Sequence, residues 1–246
     1  MRVKLDLPKR PGFFIVGTDT GAGKTLIAGA IARILTDAGQ KVGVFKPIAT
    51  GCKRHWEGTI SRDTEFLAFC ANSDLALSTI TPIGYVTQAA PIIGAAREGQ
   101  AIDLDRIATA YKEICQNSDI VIVEGVDGVR TPLTLELDLL DLAGEFDLPT
   151  VIIARLNQSA VNHTLMTIDC IRAAELKIAG VVLNAYDAVE ARVAENTADQ
   201  VIAQCSGVNI LATVPFDEMV NTEEPDLGEV IVPSLADCDW AQLARI

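Results

Sequence analysis

The chain has 246 residues, 49% of them hydrophobic, with 20 Lys and Arg against 33 Asp and Glu for a formal charge of −13. That acidity excludes a nonspecific nucleic-acid binder, and no apolar run approaches the roughly 20 residues of a membrane span. Six cysteines (Cys52, Cys70, Cys115, Cys170, Cys205, Cys238) form no CxxC pair and no metal-ligand spacing, so they read as buried thiols. The basic stretch 1–10 is not followed by an apolar signal region, and the expectation is a cytoplasmic protein with no membrane partner.

In chain order, an N-terminal extension (1–12) leads into an apolar strand at 13–16 and then Gly17-Thr18-Asp19-Thr20-Gly21-Ala22-Gly23-Lys24-Thr25. A strand, a glycine turn and Gly-Lys-Thr opening a helix are the parts of a phosphate cradle. Backbone N–H groups point inward, the helix N-terminus adds positive potential, and the lysine reaches the terminal phosphates. The threonine hydroxyl that follows can ligate Mg²⁺. Thr20, Gly21, Ala22, Gly23, Lys24 and Thr25 are therefore the expected nucleotide-binding set, for a nucleoside triphosphate with Mg²⁺. The spacing departs from the usual pattern: Thr18 stands where the first glycine belongs, and Gly17 lies one residue early.

A helix over 24–38 is stopped by Gly39, and a strand over 41–46 by Pro47. Lys46 thus ends a buried strand, where its charge would neutralise a transferred phosphoryl group, with Thr50-Gly51 close by. After a loop at 51–62, Asp63 opens a helix over 63–71. Spacing alone makes it an N-cap, while beside Thr25 and Glu124 it would complete an oxygen-rich Mg²⁺ site. A helix over 103–117 precedes the apolar strand 119–123, which ends at Glu124-Gly125. A helix near 136–146, a strand at 150–154, a helix at 160–175, a strand at 179–183, a helix at 189–205 and a strand at 209–214 follow. Asn184 and Pro215 come just after the last two strands, on the rim where a base would sit. Asn184 is either a turn residue or a partner for an adenine edge. His163, in the first turn of its helix, suits a structural or positioning duty, and His55 has no assigned role. Asp217, Glu218, Glu223, Glu224, Asp226 and Glu229 read as the solvated face of an acidic C-terminal segment at about 217–246.

Strands apolar on both faces and alternating with helices predict an α/β fold: a doubly wound, mostly parallel sheet with helices on both faces, of the P-loop NTPase type. One domain spans 1–246, with ligands at the carboxyl ends of its strands.

These pieces together resemble the dethiobiotin synthetases. The resemblance is carried by the loop 17–25, Phe45-Lys46-Pro47-Ile48-Ala49-Thr50-Gly51, Asp63, Val123-Glu124-Gly125, Asn162-His163, Asn184 and Pro215, and covers 13 to about 216. It accounts for Thr18, since that family carries threonine there. It implies an ATP-dependent ligase that closes a cyclic urea from 7,8-diaminopelargonate and CO₂ through a phosphorylated carbamate. By resemblance Lys24, Lys46 and Thr18 are catalytic, and Thr25, Asp63 and Glu124 hold Mg²⁺. Asn184 and Pro215 contact adenine, and Thr18, Thr50, Val126, Asp127, Ala160, Val161 and Asn162 face the diamine. It also implies a homodimer in which the loop before the Asn-His helix completes the other subunit's site. Three segments depart from the family: Glu124-Gly125-Val126-Asp127-Gly128 replaces Glu-Gly-Ala-Gly-Gly, 156–163 lacks the glycine-rich approach to Asn-His, and Pro91-Ile92 replaces Pro-His. All three lie on the diamine side, which keeps open a ligase acting on another diamine or carboxylate, or a regulatory nucleotide-binding domain. An ATP-driven switch of the cell-division or partition type carries a signature lysine where this chain has Asp19, and is disfavoured.

Overall fold

Phe13 to Val16 and Val151 to Ala154 have no solvent exposure at all, because the strands that carry them lie in the middle of a sheet covered on both sides. The computed structural model describes residues 4–55, 58–220, 222 and 225–246; Glu223 and Glu224 of the acidic stretch, and residues 1–3 of the basic one, lie outside the described residues. The chain runs β1 (Gly12–Gly17), α1 (Lys24–Asp37), β2 (Val42–Phe45), β3 (Ile48–Thr50), β4 (Lys53–His55), β5 (Gly58–Ile60) and α2 (Arg62–Cys70). It continues through α3 (Leu77–Ile80), β6 (Ile83–Tyr85), α4 (Pro91–Glu98), α5 (Leu104–Gln116), β7 (Ile120–Gly128) and α6 (Leu139–Phe146). Then come β8 (Thr150–Arg155), α7 (Ala160–Ala173), β9 (Ile178–Tyr186), α8 (Val193–Ser206), β10 (Ile210–Pro215), α9 (Ile231–Leu235) and α10 (Trp240–Leu243).

The main sheet has the order β10-β9-β8-β1-β7-β2, with every neighbouring pair parallel, so the expected α/β architecture is met. Successive side chains of β1 point to opposite faces. Phe14 packs on Phe146 of α6, which meets Tyr111 of α5 edge-on, while Phe13 meets Trp240 of α10 edge-on at 5.7 Å between centroids. Helices therefore cover both faces. Among the described residues, no helix is long and apolar enough to cross a membrane.

Several boundaries differ from the sequence expectation. The segment 51–62, expected as a loop, carries β4 and β5, an antiparallel pair outside the main sheet. The helix expected from 136 begins only at Leu139, because the Asp138 side chain accepts from the Asp141 N–H while Asp141 accepts from the Asp138 N–H. β7 and β9 run on to Gly128 and Tyr186, so Glu124 and Asn184 lie inside strands rather than after them. The thiols of Cys52, Cys70 and Cys115 are buried as expected, but Cys205 is exposed.

The largest difference is at the C-terminus. Beyond its acidic start, the segment buries Ile231, Leu235, Trp240 and Ala244. The Trp240 indole N–H donates to the Leu235 carbonyl at 2.8 Å, and the Gly12 N–H donates to the Ala244 carbonyl at 2.9 Å, anchoring the start of β1. Charge at one end of this segment masked an apolar pattern too short to register as a helix. Trp240→Ala is expected to destabilise the protein by about 3–5 kcal/mol in urea unfolding, the range for emptying a buried aromatic site; a loss under about 1 kcal/mol would contradict this packing.

Candidate active site

Because all six strands of the main sheet are parallel, their carboxyl ends share one edge, and the β1–α1 connection lies along it. Two glycines make that connection possible: Gly21 has φ of 75° and Gly23, at the N-cap of α1, φ of 95°. Both lie in the left-handed region that side chains disfavour. A Cβ on Gly23 would also stand 2.0 Å from Nδ2 of Asn184. That nitrogen donates to the Ala22 carbonyl at 2.9 Å, so Asn184, buried on β9, props the loop from behind. The Lys24 side chain turns back across the loop and donates to the Asp19 carbonyl at 3.2 Å. Burial is the main cause holding the Lys24 ammonium below its ordinary pKa, only partly offset by Glu124.

Lys46 follows β2 and is buried. Its Nζ donates to Oε1 of Glu124, on β7, at 2.8 Å and to Oδ2 of Asp63, on α2. The Thr25 hydroxyl, on α1, donates to the same Glu124 oxygen at 2.8 Å. Four chain segments thus bring the expected Mg²⁺ residues and Lys46 into one cluster. Asp63 is not the helix cap that spacing suggested: Ser61 holds that position, and Asp63 lies in the first turn with its carboxylate turned to Lys46. Burial alone would lower the Lys46 ammonium, but the charges of Glu124 and Asp63 more than offset it and hold its pKa well above the ordinary lysine value. Burial pushes the Glu124 carboxyl up against the opposing pull of Lys46. At Asp63 burial also pushes upward, yet Lys46 wins and holds the carboxyl below its usual range.

The donor set can be tested for Mg²⁺. Among the described residues, no three His, Cys, Asp or Glu side chains form a metal cluster. Mg²⁺ does not require one, since it is held by one or two carboxylates with water and substrate phosphates. Oε2 of Glu124 is buried without a hydrogen-bond partner among the described residues, and it stands with the Thr25 hydroxyl and Asp63 as a set of hard oxygen donors. The residues fit the ion.

Two cavities open here. One, of about 510 Å³, is lined by the loop 20–25 except Ala22, by Lys46, Thr50, Asp63, Glu124, Val126 and Asp127, and also by Gln88, Ala89, Ala90 and Thr222. The other, of about 560 Å³, is lined by Thr18, Asp19, Thr20, Asp127, Arg130, His163 and Met166 among others. Thr20, Ala90 and Asp127 border both. Ala160, Val161 and Asn162, at the start of α7, line neither cavity, and Pro215 ends β10 beside Tyr186 of β9. The sequence did not single out Gln88 and Ala90, Thr222, Arg130 or Met166. Pro91 at the first position of α4 was the one local signal that chain at 88–90 turns into a helix there.

A family model described as an AAA domain matches residues 11–224. The ATP-dependent dethiobiotin synthetase of Thermodesulfovibrio yellowstonii is 30% identical over 230 residues, 91% of this chain and 95% of that relative. The enzyme of the same name from Bacillus cereus is 35% identical over 87% of this chain and 86% of its own length. The chain belongs to the dethiobiotin synthetase family. Likeness to solved structures is broader: the MinC:MinD cell division protein complex of Aquifex aeolicus aligns at a TM-score of 0.58 with 14% identity, covering 95% of this chain and 93% of that one. A ParA family ATPase from Chlorobium tepidum aligns at 0.53 with 15% identity, covering 97% of this chain and all of that one. At such identity the likeness is one of fold, shared between this family and proteins of other duty.

Within the family's loop, Gly23→Ala is expected to weaken ATP binding about tenfold or more, since the methyl displaces Asn184 and strains the backbone. Equilibrium dialysis with labelled ATP measures this; wild-type affinity would contradict the fit of Asn184 against the loop.

Proposed function

We propose that this protein is an ATP-dependent dethiobiotin synthetase, closing the cyclic urea of dethiobiotin from 7,8-diaminopelargonate and CO₂. The observation that carries the reading is the cluster of Thr25, Lys46, Asp63 and Glu124 beside a phosphate loop, at a wall shared with a second cavity. A simple nucleotide binder has no need of that second space or of a buried lysine beside the phosphates. Family membership supplies the substrates.

In this reading the loop 20–25 takes the ATP phosphates through its N–H groups and Lys24, with Asn184 and Pro215 on the adenine side. Thr25, Asp63 and Glu124 hold Mg²⁺, which supplies neutralisation of phosphate charge. One diamine nitrogen bonds to the carbon of CO₂ and loses a proton, giving a carbamate. A carbamate oxygen then bonds to the γ-phosphorus as ADP leaves. The second nitrogen bonds to the carbamate carbon and loses a proton, phosphate leaves with the carbon–oxygen bond electrons, and the ring is closed. The protein's part is to hold the reactants in line and to neutralise the charge that grows during phosphoryl transfer, the duty of Lys24 and Lys46. Thr18 and Asp127 border the diamine, while Thr50 and Val126, which line the first cavity and not the second, lie nearer the phosphoryl-transfer end. Ala160, Val161 and Asn162 serve the substrate carboxylate of a second protomer in a cytoplasmic homodimer, each protomer one domain.

The test is to incubate the protein with Mg-ATP, bicarbonate and 7,8-diaminopelargonate and to follow products by mass spectrometry. Dethiobiotin should appear in step with ADP, and ADP release should fall to background without the diamine. ATP hydrolysis indifferent to the diamine, or no dethiobiotin, would contradict the function.

A further inference from the structure

The two cavities meet at Asp127. In the first, Lys46 is already paired with Asp63 and Glu124, which leaves Lys24 as the cation of the phosphate loop; Asp19 faces the second, where the guanidinium of Arg130 is already engaged by Asp138 at 2.6 Å. Asp127 has φ of 49°, a left-handed conformation that aspartate tolerates better than most residues. Its Oδ1 accepts from the Thr20 hydroxyl at 2.9 Å, which ties the end of β7 to the phosphate loop. No other hydrogen bond or ion pair of its side chain occurs among the described residues, so Oδ2 remains available at the rim of the second cavity.

The anionic substrate and the cationic one must lie side by side without exchanging places. An alkyl diamine carries ammonium groups at neutral pH, as lysine does. Lys24 repels such groups from the phosphate loop, and a carboxylate at the shared wall attracts them to its near edge. The remaining lining of the second cavity includes Val129, Pro132 and Met166, apolar surface suited to an aliphatic chain.

We infer that Asp127 is the residue that receives an ammonium group of the diamine and sets that nitrogen at the boundary with the phosphate cavity. The inference rests on the proposed synthetase activity and adds to it the side chain that selects a cationic substrate. Thr20 fixes one carboxylate oxygen, which aims the other. The contact is made by the ground-state ammonium, so its loss falls on substrate binding rather than on the phosphate chemistry.

Asp127→Asn separates this role from a merely structural one. Asparagine tolerates the same backbone conformation and still accepts from Thr20, so only the charge is lost. The diamine KM is expected to rise about tenfold or more and to depend less on ionic strength, while the ATP KM stays within about twofold. A thermal unfolding midpoint close to that of the wild type shows that the variant is folded. Asp127→Glu, which restores charge on a longer arm, is expected to recover part of the diamine affinity. Dethiobiotin production with an unchanged diamine KM in Asp127→Asn would overturn the inference and leave the function standing, as would equal rises in both KM values. Failure of the wild type to form dethiobiotin would overturn the function itself, and the inference with it.

Discussion

Lys46 carries a full charge in the interior of this protein, and the arrangement of the site depends on the two carboxylates that keep it there. Its side chain is 6% exposed and that of Glu124 only 1%, so neither ion is hydrated to any useful extent. Each alone would be driven toward its neutral form. Together they satisfy one another, and Asp63, which still meets solvent, adds a second acceptor. The net stability gained is small, because desolvation offsets the attraction. What the arrangement fixes is position. An ammonium bonded to both carboxylates ties the end of β2 to the middle of β7 and to the first turn of α2, and Thr25 is drawn to the same oxygen.

The parallel sheet makes this convergence possible. With every strand running the same way, the ends of β1, β2, β7 and β9 arrive at one edge. β1 then supplies the phosphate loop, β2 the lysine, β7 the buried carboxylate, and β9 the amide that supports the loop. β7 does more than its length suggested. By continuing past Glu124 to Gly128, it delivers Asp127 to the outer side of the loop and divides the open space in two. One compartment holds the phosphate loop, Lys24 and the Lys46–Asp63–Glu124 cluster; the other is edged by Asp19 and Asp127. A ligase that must bring a polyanion against an amine has use for such a division.

Much of this was legible in the sequence, for identifiable reasons. The phosphate loop announces itself because its function needs specific backbone conformations, which only glycine supplies at Gly21 and Gly23. Buried parallel strands announce themselves as unbroken apolar runs, so polar residues within or at the end of one, such as Lys46 and Glu124, stand out. The family resemblance tied these residues together over most of the chain. Pairing was less legible. Nothing in the spacing shows that Asp63 turns to Lys46 instead of capping α2, or that Asn184 holds Ala22. Those contacts join positions far apart in sequence. The helices α9 and α10 escaped notice because each has only four or five residues, below the length at which a 3.6-residue period can be seen. Their burial is set by tertiary packing on Phe13 and α1, not by local preference.

The account stands most directly on the coupling between Lys46 and Glu124, and a double-mutant cycle measures it. Urea unfolding of Lys46→Met, Glu124→Gln and the double variant gives three free-energy changes against the wild type. Lys46→Met leaves the buried Glu124 carboxylate without its cation and Glu124→Gln leaves the buried Lys46 ammonium with Asp63 alone, whereas the double change removes both charges and keeps an acceptor for Thr25. The summed single losses are predicted to exceed the loss in the double variant by about 2 kcal/mol. Losses that add to within about 0.5 kcal/mol would show that the two residues act independently, and would contradict the ion pair as the organising contact of the site.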